Sequence, residues 1–190
     1  NTTHYSIVDR WGNAVAVTTT LNDWFGAKVT AAGTGVLLNN EMDDFAVQPG
    51  VPNAFKLIGA EANAVAPGKR PLSSMSPTIV FKDGQPILTV GAAGGPTIIT
   101  QTLLLISNII DQGLEPNAAL KEPRFHHQWN PDALKIETSF DESTLKRVEA
   151  LGHQLEKTSG FGACQCVFWD AGRKLLVPAD RKSTRLNSSH

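Results

Sequence analysis

Cysteine is almost missing from this 190-residue chain: there are two, Cys164 and Cys166. Two residues apart on a strand, they point the same way and are poorly placed to bridge each other. Their spacing is neither a C-x-x-C redox motif nor a zinc pair, so they read as free thiols. An excess of charge is missing as well. The formal net charge of −1 provides no basic field for nucleic acid or a membrane surface. No apolar run is long enough to span a bilayer. The most apolar helix candidate, Ile98 to Ile110, is too short and carries Thr100, Gln101, Thr102, Ser107 and Asn108. There is no signal peptide, which is uninformative in a processed fragment. What is present is an ordinary globular composition, 41% apolar, at a length suited to one domain.

The ends carry expectations of their own. The chain opens on Asn1 and not on Met, as a fragment or a processing product does. Residues 180–190, DRKSTRLNSSH, have no apolar period and follow directly on a strand-like stretch. They resemble one reading frame of a common sequencing-adapter oligonucleotide. The expected natural domain is therefore 1–179, incomplete at its C-terminus, with 180–190 set aside from fold reasoning.

The stretch that organises the chain is NTTHYSIVDRWGNAVAVTTTLN, residues 1–22. Tyr5, Ile7 and Asp9 alternate with Ser6 and Val8. Gly12-Asn13 then separates this run from a second one, Ala14 to Thr20, which is a hairpin signal. Closing the hairpin there returns Thr18, Thr19 and Thr20 beside Thr2 and Thr3. Threonine is common in strands because its β-branched side chain suits a pleat. A catalytic reading also fits: a threonine hydroxyl acting as nucleophile with its own α-amine as base. That amine has a free pKa of about 8, low enough to accept a proton near neutrality.

Farther along, Asn22 to Gly26 reads as a loop and Val36-Leu37-Leu38 as a short buried run. Glu41, Asp43 and Asp44 lie close together beside Asn39 and Asn40, a grouping able to hold an ammonium group by charge-assisted hydrogen bonds. Residues 48–69, rich in Pro, Gly, Ala and Asn, have no sustained period and form a long loop, a length that is usually functional or disordered. Ser73 and Ser74 precede a strand, Thr78 to Phe81, and Pro86 to Val90 returns from it. Serines in loops are commonly turn residues.

Gly91 to Gly95, GAAGG, leads into a helix, Thr97 to Gln112. Glycines there let the backbone approach a ligand, and the helix N-terminus has free N–H donors. A phosphate loop would need a Gly-Lys-Ser/Thr ending, which is missing. An oxyanion suits the same donors. The helix is expected to bury Ile98, Ile99, Leu103, Ile106 and Ile110, with Gly113 as its stop. His126 and His127 are adjacent, so on a strand they face opposite ways and are poor joint ligands. Leu134 to Glu137 reads as a strand. Ser139 to Glu142 spells a capping box for a helix ending before Gly152. A last hairpin runs through Cys164–Trp169 and Lys174–Val177. Hairpins at both ends with helices between make an α+β pattern.

The run TTHYS…D…GNAV…T…TLN, the KRPLSSMSPTIVF segment, GAAGG and PRFHHQW together resemble the small subunit of γ-glutamyltranspeptidase over about Asn1 to Asp180. The resemblance implies the αββα sandwich of the N-terminal nucleophile hydrolases, completed by a large subunit of the same precursor. It implies self-cleavage after Asn1, freeing Thr2 as the nucleophile, with Thr20 orienting it and Gly94 and Gly95 forming the oxyanion hole. Asn22, Glu41 and Asp44 would hold a donor's α-ammonium group, and Ser73 with Ser74 its α-carboxylate, beside an arginine of the large subunit. The 48–69 loop would be a lid. Phe55 stands where bacterial relatives have a tyrosine, so a lid closed differently from one bonded to Asn22 is expected. Ala92-Ala93 departs from the Ser-Pro of many relatives. The implied reaction passes the γ-glutamyl group of glutathione or a related donor to water, an amino acid or a peptide. It needs no metal and no other cofactor, and its setting is periplasmic or secreted. The rivals are an acylase of the same superfamily acting on β-lactam side chains and a non-catalytic assembly subunit.

Overall fold

A computed structural model describes residues 2–181. The first two strands, β1 (Thr2–Val8) and β2 (Ala14–Thr20), pair antiparallel with Thr2 opposite Thr20, Thr3 opposite Thr19 and His4 opposite Thr18. Asp9 fastens the turn by accepting the N–H groups of Trp11 and Asn13 at 2.8 and 2.9 Å. Gly12 takes φ 87°, a left-handed value that glycine adopts at little cost.

The second sheet has the order β3-β4-β8-β9, all antiparallel, formed by Thr78–Lys82, Gln85–Ala92, Cys164–Asp170 and Leu175–Arg181. Strand alternation sorts its two faces. Leu88, Val90 and Ala92 of β4 join Cys164 and Cys166 of β8 and Ala179 of β9 in a core with α1 (Thr97–Ile110). Gly91 faces the other way, against the ring of His4 in the hairpin. Hairpin, sheet and helix therefore stack as three successive layers. Burial pushes both thiols up to about 12, so these cysteines are inert packing groups.

A short helix, α2 (Pro116–Ala119), caps the core. A third sheet orders β5 (Phe125–His126), β6 (Leu134–Glu137) and β7 (Leu155–Thr158), with β6 and β7 parallel across the helix α3 (Glu142–Ala150). No helix among the described residues is long and apolar enough to cross a membrane.

Four sequence expectations change. In α1 the buried stripe is Ile98, Gln101, Thr102, Leu105 and Ile109, while Ile99, Leu103 and Ile110 are exposed. The helix is apolar on two sides, and only geometry tells which one meets the sheet. Val36, Leu37 and Leu38 are exposed and pair with residues 27–31 through the Thr30–Leu37 bridge and its flanking backbone hydrogen bonds, not in a buried strand. The cap of α3 is Asp141, whose carboxylate accepts the Thr144 N–H at 2.9 Å, so the S-x-x-E at Ser139 is not the helix start. Last, β9 runs through Asp180 and Arg181, so the first two residues of the segment set aside at 180–190 belong to the sheet. The Arg181 guanidinium donates to the Leu120 and Glu122 carbonyls and to Glu137, contacts that a chain ending at 179 would lack. The rest of that segment, 182–190, and Asn1 lie outside the described residues.

Candidate active site

The register of the hairpin sets Thr2 and Thr20 face to face, and their hydroxyl oxygens lie 2.8 Å apart. Thr20 Oγ1 also accepts the Asn22 N–H at 2.8 Å, which holds it beside Thr2. Asn22 has φ 71°, an unusual value that turns the chain sharply after β2. Its amide donates to Asp44 Oδ1 at 3.2 Å and to the Asn40 carbonyl at 3.4 Å. A continuous path of polar contacts thus runs from Thr2 through Thr20 and Asn22 to Asp44.

Asp44 ends a 3-10 turn, Glu41–Asp44, that presents both acids. Burial, followed by the hydrogen bond and the charge of Asp44, pushes Glu41 up to about 7. Its Oε1 is buried and has no hydrogen-bond partner among the described residues. A buried acceptor without a donor is expensive, and an incoming cation would satisfy it. Asn63 joins this turn to the serine segment: its Nδ2 donates to the Asp44 carbonyl at 2.8 Å and its Oδ1 accepts the Leu72 N–H at 2.9 Å. Ser73 and Ser74 follow directly. Their described hydrogen bonds stay within their own loop, the Ser73 hydroxyl accepting the Met75 N–H at 3.2 Å and the Ser74 carbonyl accepting the Ser76 hydroxyl at 3.1 Å.

The glycine turn lies at the end of β4. The far end of β1 (Val8) and the turn after it share a cavity of about 450 Å³ with Gln85 and Pro86, at the start of β4. His4 lies against Gly91, near the end of β4. The two strands therefore run oppositely, and the Thr2 end of β1 points toward Gly94 and Gly95. Gly94 takes φ 146° and Gly95 φ 60°. At Gly94 a side chain would collide with Thr97 Oγ1 and Gln101 Nε2, so only glycine fits. Among the described residues neither N–H has a hydrogen-bond partner, leaving two donors ahead of α1.

Sequence reading missed what braces this turn. Arg124 is buried and pairs with the buried Glu137 at 2.8 Å. Its Nη1 donates to Gln101 Oε1 at 2.6 Å, while Gln101 Nε2 donates to the Ala93 carbonyl at 3.2 Å. Arg124 Nη2 reaches the Phe161 carbonyl at 3.0 Å, and Arg181 approaches Glu137 at 3.1 Å. PRFHHQW held the arginine, but its acid lies far along the sequence and no local pattern joins them. His4 was also passed over. Its Nδ1 meets Thr18 Oγ1 at 2.8 Å and its Nε2 meets Ser6 Oγ at 3.0 Å, and burial lowers its pKa.

In the 48–69 loop, Phe55 lies beside the turn: a methyl group added at Gly95 would stand 3.7 Å from its ring. The loop encloses a cavity of about 470 Å³ bounded by Asp43, Asp44, Phe45, Val51, Leu57 and Leu72.

The sequence profile of the γ-glutamyltranspeptidase family matches residues 1–188. The glutathione hydrolase proenzyme of Escherichia coli (strain K12) is 51% identical over 182 residues, covering 96% of this chain and 31% of that protein. The glutathione hydrolase proenzyme of Pseudomonas sp. (strain A14) is 59% identical over 155 residues, covering 81% of this chain and 27% of that protein. The chain thus spans under a third of either relative. A crystal structure of a Helicobacter pylori γ-glutamyltranspeptidase mutant superposes with a TM-score of 0.89 at 44% identity, covering 96% of this chain and 99% of that one. The architecture is the small-subunit part of the N-terminal nucleophile hydrolase sandwich, and the chain belongs to the γ-glutamyltranspeptidase family.

Proposed function

We propose that this chain is the catalytic small subunit of an enzyme that transfers or hydrolyses the γ-glutamyl group of glutathione and related compounds. The observation that carries this reading is the Thr2–Thr20 hydroxyl pair at 2.8 Å, on the strand end directed at the Gly94–Gly95 turn. Thr2 Oγ attacks the γ-carbonyl carbon of the donor while its proton passes to the Thr2 α-amine. The N–H groups of Gly94 and Gly95 hold the negative oxygen that forms. Collapse breaks the C–N bond, and the proton leaves with the departing amine. The resulting threonyl ester is then attacked by water, an amino acid or a peptide, which restores the Thr2 hydroxyl.

Asn22, Glu41 and Asp44 receive the donor's α-ammonium group, and the buried, unpartnered Glu41 oxygen supports that role. Ser73 and Ser74 receive the α-carboxylate, with an arginine from the large subunit. Phe55 covers the oxyanion turn. A large subunit also accounts for the exposed apolar side chains of Tyr5, Ile7 and Val15 on the outer face of the hairpin and of Ile99 and Leu103 on α1. The reading includes self-cleavage of the Asn1–Thr2 bond, supported by the proenzyme names of the relatives, and a periplasmic or secreted setting.

The test uses the protein expressed from its complete gene and a γ-glutamyl anilide. Release of the aniline, abolished by Thr2→Ala, is expected. Turnover of a β-lactam side-chain amide with none of the anilide would establish the acylase instead, and turnover of neither would leave an assembly subunit.

A further inference from the structure

We propose that Gln128, with Asn130 beside it, is a positioning residue that fastens the tip of the 48–69 loop over the Gly94–Gly95 turn. The inference rests on the reading of that turn as the oxyanion site. The loop tip is shaped before it is tied. Asn53 Oδ1 accepts the N–H groups of Phe55 and Leu57 at 2.9 and 3.0 Å, and Lys56 takes φ 62°. This turn leaves the carbonyls of Phe55 and Lys56 facing away from it. Gln128 Nε2 donates to the Phe55 carbonyl at 3.3 Å, and Asn130 Nδ2 reaches the Lys56 carbonyl at 3.5 Å.

The far side of Gln128 is anchored in the core. Its Nε2 also donates to the Asn130 carbonyl at 3.0 Å. Both partners of that nitrogen are carbonyls, which only accept, so the amide cannot be turned over. Oε1 must then face His126 Nε2, at 3.0 Å, and that imidazole nitrogen carries a proton. His126 is buried, and its Nδ1 lies 3.0 Å from Thr100 Oγ1 on α1. The same helix begins immediately after Gly94 and Gly95. The path α1, His126, Gln128, Phe55 carbonyl therefore refers the lid and the oxyanion turn to one rigid element. It reaches the lid through the backbone, so a phenyl side chain at position 55 suffices for closure without a hydroxyl partner at Asn22.

The test uses the protein from its complete gene and two variants. Gln128→Glu keeps the acceptor for His126 and removes both N–H donors, while Asn130→Ala removes only the second tie. Limited trypsin digestion reads opening of the loop at Lys56, with the exposed Lys82, the last residue of β3, as the internal reference. Cleavage at Lys56 should rise by about fivefold or more in Gln128→Glu, because proteolysis follows the open population. It should rise less in Asn130→Ala. With a γ-glutamyl anilide, KM should rise several-fold while kcat changes little. An unchanged ratio of Lys56 to Lys82 cleavage in either folded variant would overturn the proposal. The trypsin readout needs no activity, so a failed turnover assay with faster Lys56 cleavage would count against the oxyanion reading and in favour of the latch.

Discussion

The imidazole of His4 lies directly on the backbone of Gly91, where an added Cβ would collide with Nδ1 of the ring. Thr18 and Ser6 hold the ring from both nitrogens, so it cannot swing aside without losing two hydrogen bonds. This contact sets how close the hairpin sits to β4, and so where Thr2 stands against Gly94 and Gly95. A methyl group at Gly91 must displace the ring or the strand. Gly91→Ala should cost about 1–3 kcal/mol, the range for overpacking a close-packed site. It should also slow self-cleavage. Denaturation midpoints and gel analysis of the cleaved fraction over time check both effects, and a variant processed at the normal rate would remove His4 from the positioning of Thr2.

Arg181 supplies a second prediction. It donates to two carbonyls and to the buried Glu137. Arg181→Ala should lower stability by about 1–3 kcal/mol, the net worth of its charge-assisted hydrogen bonds, since Glu137 keeps its bonds to Arg124. Arg124→Met should cost more, about 3–5 kcal/mol, because it breaks a buried ion pair on one side only. It also leaves Gln101 without its anchor behind Ala93. Urea unfolding of the assembled protein is the measurement, and equal midpoints for the parent and Arg181→Ala would contradict the account.

Glu41 predicts a pH dependence. Its pKa is pushed up to about 7 by burial and by Asp44, so below that pH it is protonated and neutral. An ammonium group binds the ionised form better, so kcat/KM for a γ-glutamyl donor should rise by up to tenfold per pH unit and level off above about 7. An ordinary α-amine has a pKa of about 8, so the comparison is with Glu41→Gln. That variant should lose the lower inflection and keep any belonging to the amine. An identical profile would exclude Glu41 from ammonium binding.

Processing follows from the nitrogen of Thr2. In a chain that begins at Asn1 this nitrogen is an amide and cannot serve as a base. On the proposed reading, Thr2 Oγ of the precursor would attack the Asn1 carbonyl, moving the acyl group from nitrogen to oxygen, and water would then free the amine. Thr2→Ala should block cleavage and turnover together, and Thr2→Ser should retain part of each. Full activity in a subunit whose N-terminal sequencing still begins with Asn1 would defeat this step.

Much of this arrangement was legible because it is local. Alternation and a turn signal give the hairpin, and its register follows once the turn is placed, so Thr2 meets Thr20. The β3–β4 hairpin, the glycine turn and α1 are likewise contiguous. The hidden parts depend on distance or on choosing between equal faces. Arg124 with Glu137 and Gln128 with Phe55 join segments that share no pattern. The buried face of α1 was misjudged because Ile99 and Leu103 are as apolar as Ile98 and Leu105. The strand β7 was missed because LEKT alternates weakly, and its pairing with β6 is supplied across α3.

The central claim is that Thr2 carries the γ-glutamyl group. The direct measurement is mass spectrometry of the assembled protein quenched during turnover of a γ-glutamyl donor, followed by peptide mapping. The account predicts a single added glutamyl group, lost on standing with water and located on the N-terminal peptide at Thr2. A glutamyl adduct on any other residue, or undiminished turnover in Thr2→Ala, would contradict it.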